Sequence, residues 1–235
     1  MLRKTILTVS PDELSKLHWI NVGFGVCPNT LDPKIVKITR NTNQVEVFTL
    51  SLRAWRSPLS NTCPRESISF GSQVVVDGFI YWDASDRIEV GGLCRYDILI
   101  MSFDLTSEEF TELYHPNSCD HDLLSNLRES LGVVEFIRTT HINYFNIWIM
   151  KGCGCTRSFE KLYSISTFDV SIEKTLGFRR SGAPVIEIEN DSGESTATLA
   201  VYDPKSKDIT EVWSSGMLGS FCVHSYMETL LLLDY

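Results

Sequence analysis

Five residues able to hold a metal or move a proton crowd into "HPNSCDHD": His115, Cys119, Asp120, His121 and Asp122. A zinc site needs four donors at compatible spacing, and His-x3-Cys-x-His is not a usual arrangement for one. A polar connecting loop explains the stretch better. Cys153 and Cys155 in "CGC" lack the two-residue gap of a redox pair, and no second pair completes a metal site. Glu187 and Glu189 stand two apart in an apolar strand and so share one face with Val185. Paired carboxylates can do acid–base work. Ile186 and Ile188 mark the opposite face as the core side, which makes the glutamate face a solvated edge. "VGFGV" (22–26) has the glycines of a phosphate loop but no Lys-Ser/Thr after them and no helix start. Serines and histidines occur without a nucleophile elbow. Trp55, Trp82, Trp148 and Trp213 could stack on a ligand, but packing between sheets accounts for them. No catalytic, cofactor-binding or metal residue is assigned, and no cofactor is implied.

The elements around these residues must come from the rest of the chain. Its 235 residues can bury a real core, and 43% hydrophobic with 22% charged is ordinary globular composition. A net charge of −9 with scattered cations argues against nucleic acid and against an anionic membrane surface as partners. The start "MLRKTILTV" lacks the apolar run of a signal peptide. "YFNIWIM" and "LLLL" fall far short of the roughly 18 residues of a membrane span. Seven cysteines at irregular spacing fit reduced thiols rather than a disulfide framework, and hence a cytoplasmic or nuclear location. The sequon Asn190-Asp191-Ser192 carries little meaning without a secretory route.

One pattern recurs. "VEVFTLSLRAWRS", "ILIMSFDLTSEEFTEL" and "VYDPKSKDITEVW" align on Phe48, Phe103 and Tyr202, with a second apolar anchor seven residues later at Trp55, Phe110 and Ile209. A fourth copy, "FNIWIMKGCGCTRSFEKL", anchors on Trp148 and Phe159 with a longer tip. First anchors about 50 residues apart suit β-propeller blades of the kelch size class. Each copy reads as a hairpin, with tips near 51–54, 106–109, 152–157 and 204–208. Asp104 and Asp203 fit a turn start and Pro204 a turn position. Asp77-Gly78 marks a further hairpin within "SQVVVDGFIYWDA". "VGFGVCPN", "PKIVKITR", "SLGVVEFIRT" and "GAPVIEIEN" supply more strands, so each unit provides about four. Helix signals are few: "SPDELSKL" with a capping box, and a turn or two in "HDLLSNLRESL". The fold class expected is all-β, a partial kelch-like β-propeller of about four antiparallel blades. The anchors Phe48, Trp55, Phe103, Phe110, Trp148, Phe159, Tyr202 and Trp213 should be mostly buried.

The chain resembles the F-box-associated domain of plant F-box proteins, a kelch-related β-propeller. The stretches that carry the resemblance run in order: "VGFGVCPNTLDPKIVKI", "VEVFTLSLRAWRS", "SQVVVDGFIYWDA", "ILIMSFDLTSEEFTEL", "LGVVEF" with "FNIWIMK" and "FEKLYSI", "LAVYDPKSKDITEV", and "VHSYMETLLLL". They cover about residue 20 to the C-terminus. The resemblance implies a non-enzymatic protein-interaction module that holds a protein target for an SCF-type ubiquitin ligase. Residues 1–20 form an N-terminal segment, and 21–235 the propeller-like domain. The F-box that docks on a Skp-type adaptor, and the first part of the propeller, are expected to be missing. An alternative is therefore an interaction propeller with no ligase role, and a second is a propeller-based enzyme. The apolar end of the chain, Leu230–Leu233, is expected to leave an open edge and low solubility.

Overall fold

A computed structural model of the chain describes residues 20–223, apart from 59–62, 66, 117–121, 140–142, 153–155, 167–169 and 191–194. The expected helix in "SPDELSKL" and the apolar run Leu230–Leu233 lie outside the described residues. The chain divides into two compact units, Met1–Leu113 and Tyr114–Tyr235.

Unit 1 holds two four-stranded antiparallel meanders. The first is β1 (Ile20–Val26), β2 (Pro33–Thr39), β3 (Gln44–Thr49) and β4 (Ala54–Arg56). The second is β5 (Ile68–Val76), β6 (Phe79–Val90), β7 (Leu93–Asp104) and β8 (Phe110–Leu113). Unit 2 repeats the plan with β9 (Asp122–Leu127), β10 (Ser130–Arg138), β11 (Asn143–Lys151) and β12 (Ser158–Ser166), then β13 (Ile172–Phe178), β14 (Pro184–Glu189), β15 (Thr196–Tyr202) and β16 (Ile209–Met217). Four sheets, each wound strand to neighbouring strand, are the four expected blades.

The repeat spacing has a structural meaning. Phe48 lies directly opposite Trp55, Phe103 opposite Phe110, and Tyr202 opposite Ile209. Rings of the first two pairs touch at 5.5 and 4.9 Å. The turns between them share one backbone design. Arg53, Glu108 and Lys207, each five residues past the first anchor, sit at φ 51°, 61° and 65°. Each N–H returns to the carbonyl four residues back, on Thr49, Asp104 and Asp203, at 2.8–2.9 Å. The Asp104 and Asp203 carboxylates accept from the N–H groups of Thr106 and Lys205 at 2.7 and 2.8 Å, as the turn chemistry predicted. Asp77-Gly78 closes its hairpin with both residues at positive φ, 48° and 77°.

The fourth copy differs. A bulge lies between Ile147 and Trp148, so Trp148 faces Lys161 and Phe159 faces Met150. Trp148 and Phe159 are therefore not a cross-strand pair. The extra residue is Leu162 on β12, and it shifts the register there. Trp148 points away from the buried Ile147 and Ile149 because neighbours in a strand alternate faces. Burial separates the two anchor sets as well. Phe48, Phe103 and Tyr202 are buried, while Trp55, Phe110, Trp148 and Phe159 are half-buried, and the side chain of Trp213 lies outside the described set. The second anchors stand on the outermost strand of each sheet, where one side of the ring meets solvent. "HDLLSNLRESL" also departs from its helical reading: its described residues, 122–131, form β9, a two-residue turn and the start of β10. Arg128 and Glu129 in that turn hold φ 53° and 62°, which a helix does not permit.

The "VGFGV" glycines belong to blade packing. An added Cβ at Gly23 would stand 2.4 Å from Trp82, and at Gly25 2.5 Å from Leu105. Strand β1 thus lies directly on the second sheet of unit 1, at a distance only glycine allows. The unit 1 core gathers Val36, Ile38, Val47, Trp82, Leu99 and Phe103. That of unit 2 gathers Leu127, Phe145, Ile147, Ile165, Ile186 and Tyr202.

Candidate functional site

Most of the residues singled out for chemistry lie outside the described part of the chain. Cys119, Asp120 and His121, and also Cys153 and Cys155, lie outside the described residues. Among the described residues no group of three or more His, Cys, Asp or Glu could hold a metal ion. Cys27, Cys63, Cys94 and Cys222 are free thiols.

The glutamate pair behaves differently from its sequence reading. Glu189 is exposed, but Glu187 has no solvent exposure. Its carboxylate pairs with Lys174 at 3.2 Å and accepts the Gly219 N–H. Chain beyond β16 covers this face of β14, so the edge is not solvated there. A second buried carboxylate, Glu135, accepts from the Asn146 amide at 2.9 Å and the Trp148 indole N–H at 3.0 Å. The Lys161 ammonium lies 5.8 Å from the Trp148 ring centre. Sequence reasoning gave Trp148 a packing role; its edge also serves as a hydrogen-bond donor.

Charge in unit 1 ties strands together. Glu108 pairs with Lys34 at 2.7 Å and with Arg56, joining the β7–β8 turn to β2 and β4. Burial alone would raise the Glu108 carboxyl, but the two cations more than offset it and hold it below the usual carboxylate range. Arg65 grips Glu112, Asp97 and Asp86 at 2.7, 2.7 and 3.2 Å. These cations are saturated by carboxylates and leave little charge for a partner.

Unit 2 carries an open groove of about 780 Å³. Its lining comes from the β9–β10 turn, β12, the β13–β14 turn, and the end of β15 with the turn and strand that follow. In an antiparallel meander the first-to-second and third-to-fourth turns leave at the same end of the sheet. That is why Arg128, Arg179 and Lys205, far apart in sequence, meet here. Half-buried Leu162, Val201 and Val212 give the groove apolar lining.

Arg128 is fixed rather than free. Its Nη2 donates to the Ser181 carbonyl at 3.2 Å, and its guanidinium lies flat against Gly182. An added Cβ at Gly182 would stand 2.5 Å from Arg128 Nε, and Gly182 is at φ 84°. The Tyr163 hydroxyl donates to the Gly182 carbonyl at 3.3 Å. Burial pushes this phenol up to about 12, with the nearby Arg128 charge opposing, so it stays a neutral donor at neutral pH. Arg128 also stands at one of two consecutive left-handed non-glycine positions, a costly conformation often found where function fixes a side chain. Arg179 and Lys205 are exposed, and neither forms an ion pair with a carboxylate among the described residues. Sequence reading missed the groove, because its parts are joined only by folding.

The sequence pattern of the F-box associated beta propeller domain matches residues 8–235. The chain belongs to this family. Its members are protein-interaction modules for substrate recognition, and the four meander sheets fit that architecture. The chain is similar to F-box protein At3g07870 of Arabidopsis thaliana, 29% identical over 143 residues. That match covers 56% of this chain and 32% of the relative. It is also similar to F-box/kelch-repeat protein At3g23880 of the same plant, 25% identical over 158 residues, covering 62% of this chain and 40% of the relative. The matched regions thus span about a third to two fifths of these relatives. Among solved structures, a Mycobacterium tuberculosis puromycin-hydrolyzing peptidase is similar at TM-score 0.44 and 9% identity, over 82% of this chain and 38% of that one. A likeness at that level carries no argument about activity.

Proposed function

We propose that this chain is the target-holding part of an SCF-type ubiquitin ligase, acting in the cytoplasm or nucleus without catalysis of its own. The observation that carries the reading is the family match over residues 8–235, with two F-box proteins among the relatives. Free thiols at Cys27, Cys63, Cys94 and Cys222 support a reducing compartment. Physically, the role needs a surface that holds its shape while a target docks. The sheets supply the rigidity, and the turns at their ends supply side chains that can vary without disturbing the core. In this reading adaptor docking belongs to an F-box outside the propeller, and ubiquitin arrives from other subunits.

The test is reconstitution. The chain is prepared alone and also fused behind the F-box of one of its Arabidopsis relatives, then mixed with Skp-type adaptor and ligase subunits. The expected result is adaptor binding and ubiquitin transfer to captured proteins by the fusion only. Adaptor binding by the chain alone that survives deletion of residues 1–20 overturns the division of labour. Capture without transfer by the fusion overturns the ligase role.

A further inference from the structure

We propose that the unit 2 groove binds an extended acidic segment of a protein partner, with carboxylates meeting Arg179 and Lys205 and apolar side chains between them entering the groove. The proposal deepens the reading of this chain as a target-binding module and rests on it. Four observations support it together.

Charge is the first. The chain as a whole is at −9, yet Arg128, Arg179 and Lys205 converge on this groove, with Arg180 and Lys207 adjacent in the two turns. Asp203 and Glu211 also line it, and Glu129 and Asp208 are adjacent in the turns, so five cations stand with four carboxylates in a chain that is otherwise acidic. The Asp203 carboxylate is held in its own turn by the Lys205 backbone N–H at 2.8 Å and keeps its charge. Availability is the second. Unlike Arg65, Arg56 and Lys34, whose charges are consumed by carboxylates at ion-pair distance, Arg179 and Lys205 are exposed with no such partner among the described residues. A complementary potential across an interface speeds encounter and selects partners.

Shape is the third. About 780 Å³ lies within the range of roughly 300–1,000 Å³ typical of ligand sites. Half-buried Leu162, Val201 and Val212 offer apolar contact between the cations. Rigidity is the fourth. The wall is held by the half-buried Tyr163 on Gly182, and its exposed edge by Arg128 on Ser181 and the left-handed Arg128-Glu129 turn. A preformed site loses less on binding.

Distribution decides between a row of carboxylates and a single phosphate. A phosphoryl group wants several donors converging on one point. Here Arg128 is already committed to a carbonyl, and the two exposed cations come from two different turns rather than from one donor cluster. Separate single charges match separate carboxylates.

The experiment uses the full chain and three fluorescent 12-residue probes of alternating pattern: Glu-Leu, Lys-Leu, and a Ser-Leu peptide carrying one phosphoserine. Anisotropy at low salt should show saturable binding of the Glu-Leu peptide and at least tenfold weaker binding of Lys-Leu. Raising salt to 0.5 M should weaken Glu-Leu binding severalfold. The variant R179E/K205E should lose at least tenfold in Glu-Leu affinity while its melting temperature stays within a few degrees of the parent. Both side chains are exposed, so folding is not at stake. A second variant, Leu162→Asp, should weaken binding separately. The proposal is overturned if no probe binds, if Glu-Leu and Lys-Leu bind alike, if R179E/K205E binds Glu-Leu as the parent does, or if the phosphoserine probe binds more than tenfold tighter than Glu-Leu. Failure of the ligase reading looks different: Glu-Leu binding persists, but the F-box fusion transfers no ubiquitin. If the fusion transfers ubiquitin to captured proteins equally well with R179E/K205E, the groove assignment fails and the ligase reading stands.

Discussion

Gly23→Ala is a sharp test of how the first two sheets pack. The new Cβ would lie 2.4 Å from Trp82 Cζ2 and 3.1 Å from two Ile80 carbons. Carbon atoms prefer roughly 3.5–4.0 Å, so the closest contact is short by about 1 Å. Trp82 is 2% exposed and Ile80 is fully buried, and neither can swing into solvent. Overpacking of this kind costs about 1–3 kcal/mol. Alanine restricts the unfolded chain and returns about 0.4–1 kcal/mol. The net expectation is a loss of about 1–2 kcal/mol, or roughly 2–8 °C in melting temperature for a chain of this size. Gly25→Ala meets Leu105 Cδ1 at 2.5 Å and Val75 Cγ1 at 3.3 Å, and Leu105 is fully buried, so a loss of the same order is expected. Thermal unfolding followed by circular dichroism and tryptophan fluorescence compares the two. In a Trp82→Phe background the Gly23→Ala penalty should shrink by at least about 0.5 kcal/mol, since residues in contact are coupled. A neutral or stabilising Gly23→Ala, or the same penalty with Phe at 82, would refute the packing of β1 on the second sheet.

Arg65→Met should cost about 2–4 kcal/mol by urea midpoint, because Asp86, Asp97 and Glu112 lose their shared cation. Arg65 holds the Glu112 carboxyl low, so that stabilisation is present above the usual carboxylate value and lost as pH falls through the folded value. The variant should show a flatter acid limb. Glu187→Ala should destabilise by about 2–3 kcal/mol. It strands the Gly219 N–H, whereas Lys174, with its side chain 39% exposed, can return to water. Glu187→Gln should cost less in the same assay. Tyr163 holds its proton more tightly folded than unfolded, so its contribution is complete below about pH 10 and fades as pH rises toward about 12. Tyr163→Phe should remove that part of the alkaline limb, read from urea midpoints across this window.

The sequence alone determined most of the strands and hairpin positions and the family, though not β9 or the register of the fourth hairpin. Those features are local. Phe48–Trp55, Phe103–Phe110 and Tyr202–Ile209 are read from spacing because a seven-residue separation across a fixed turn makes two residues cross-strand neighbours. Asp104, Asp203 and Asp77-Gly78 announce their turns because the chemistry that bends the chain lies in the turn itself. Arg53, Glu108 and Lys207 give no such notice, since residues of these types take left-handed φ only when the surrounding strands impose it. Alternation could not say that Glu187 is buried, because the lid over it comes from Gly219, thirty-two positions away. It could not say why Gly23 and Gly25 are glycine, because the neighbours that forbid a side chain are Trp82 on a strand of another sheet and Leu105 in the turn after its third strand. The groove was illegible for the same reason. Arg128, Tyr163, Arg179 and Lys205 share no local pattern, and only the meander topology, which sends alternate turns to one end of each sheet, brings them to one place.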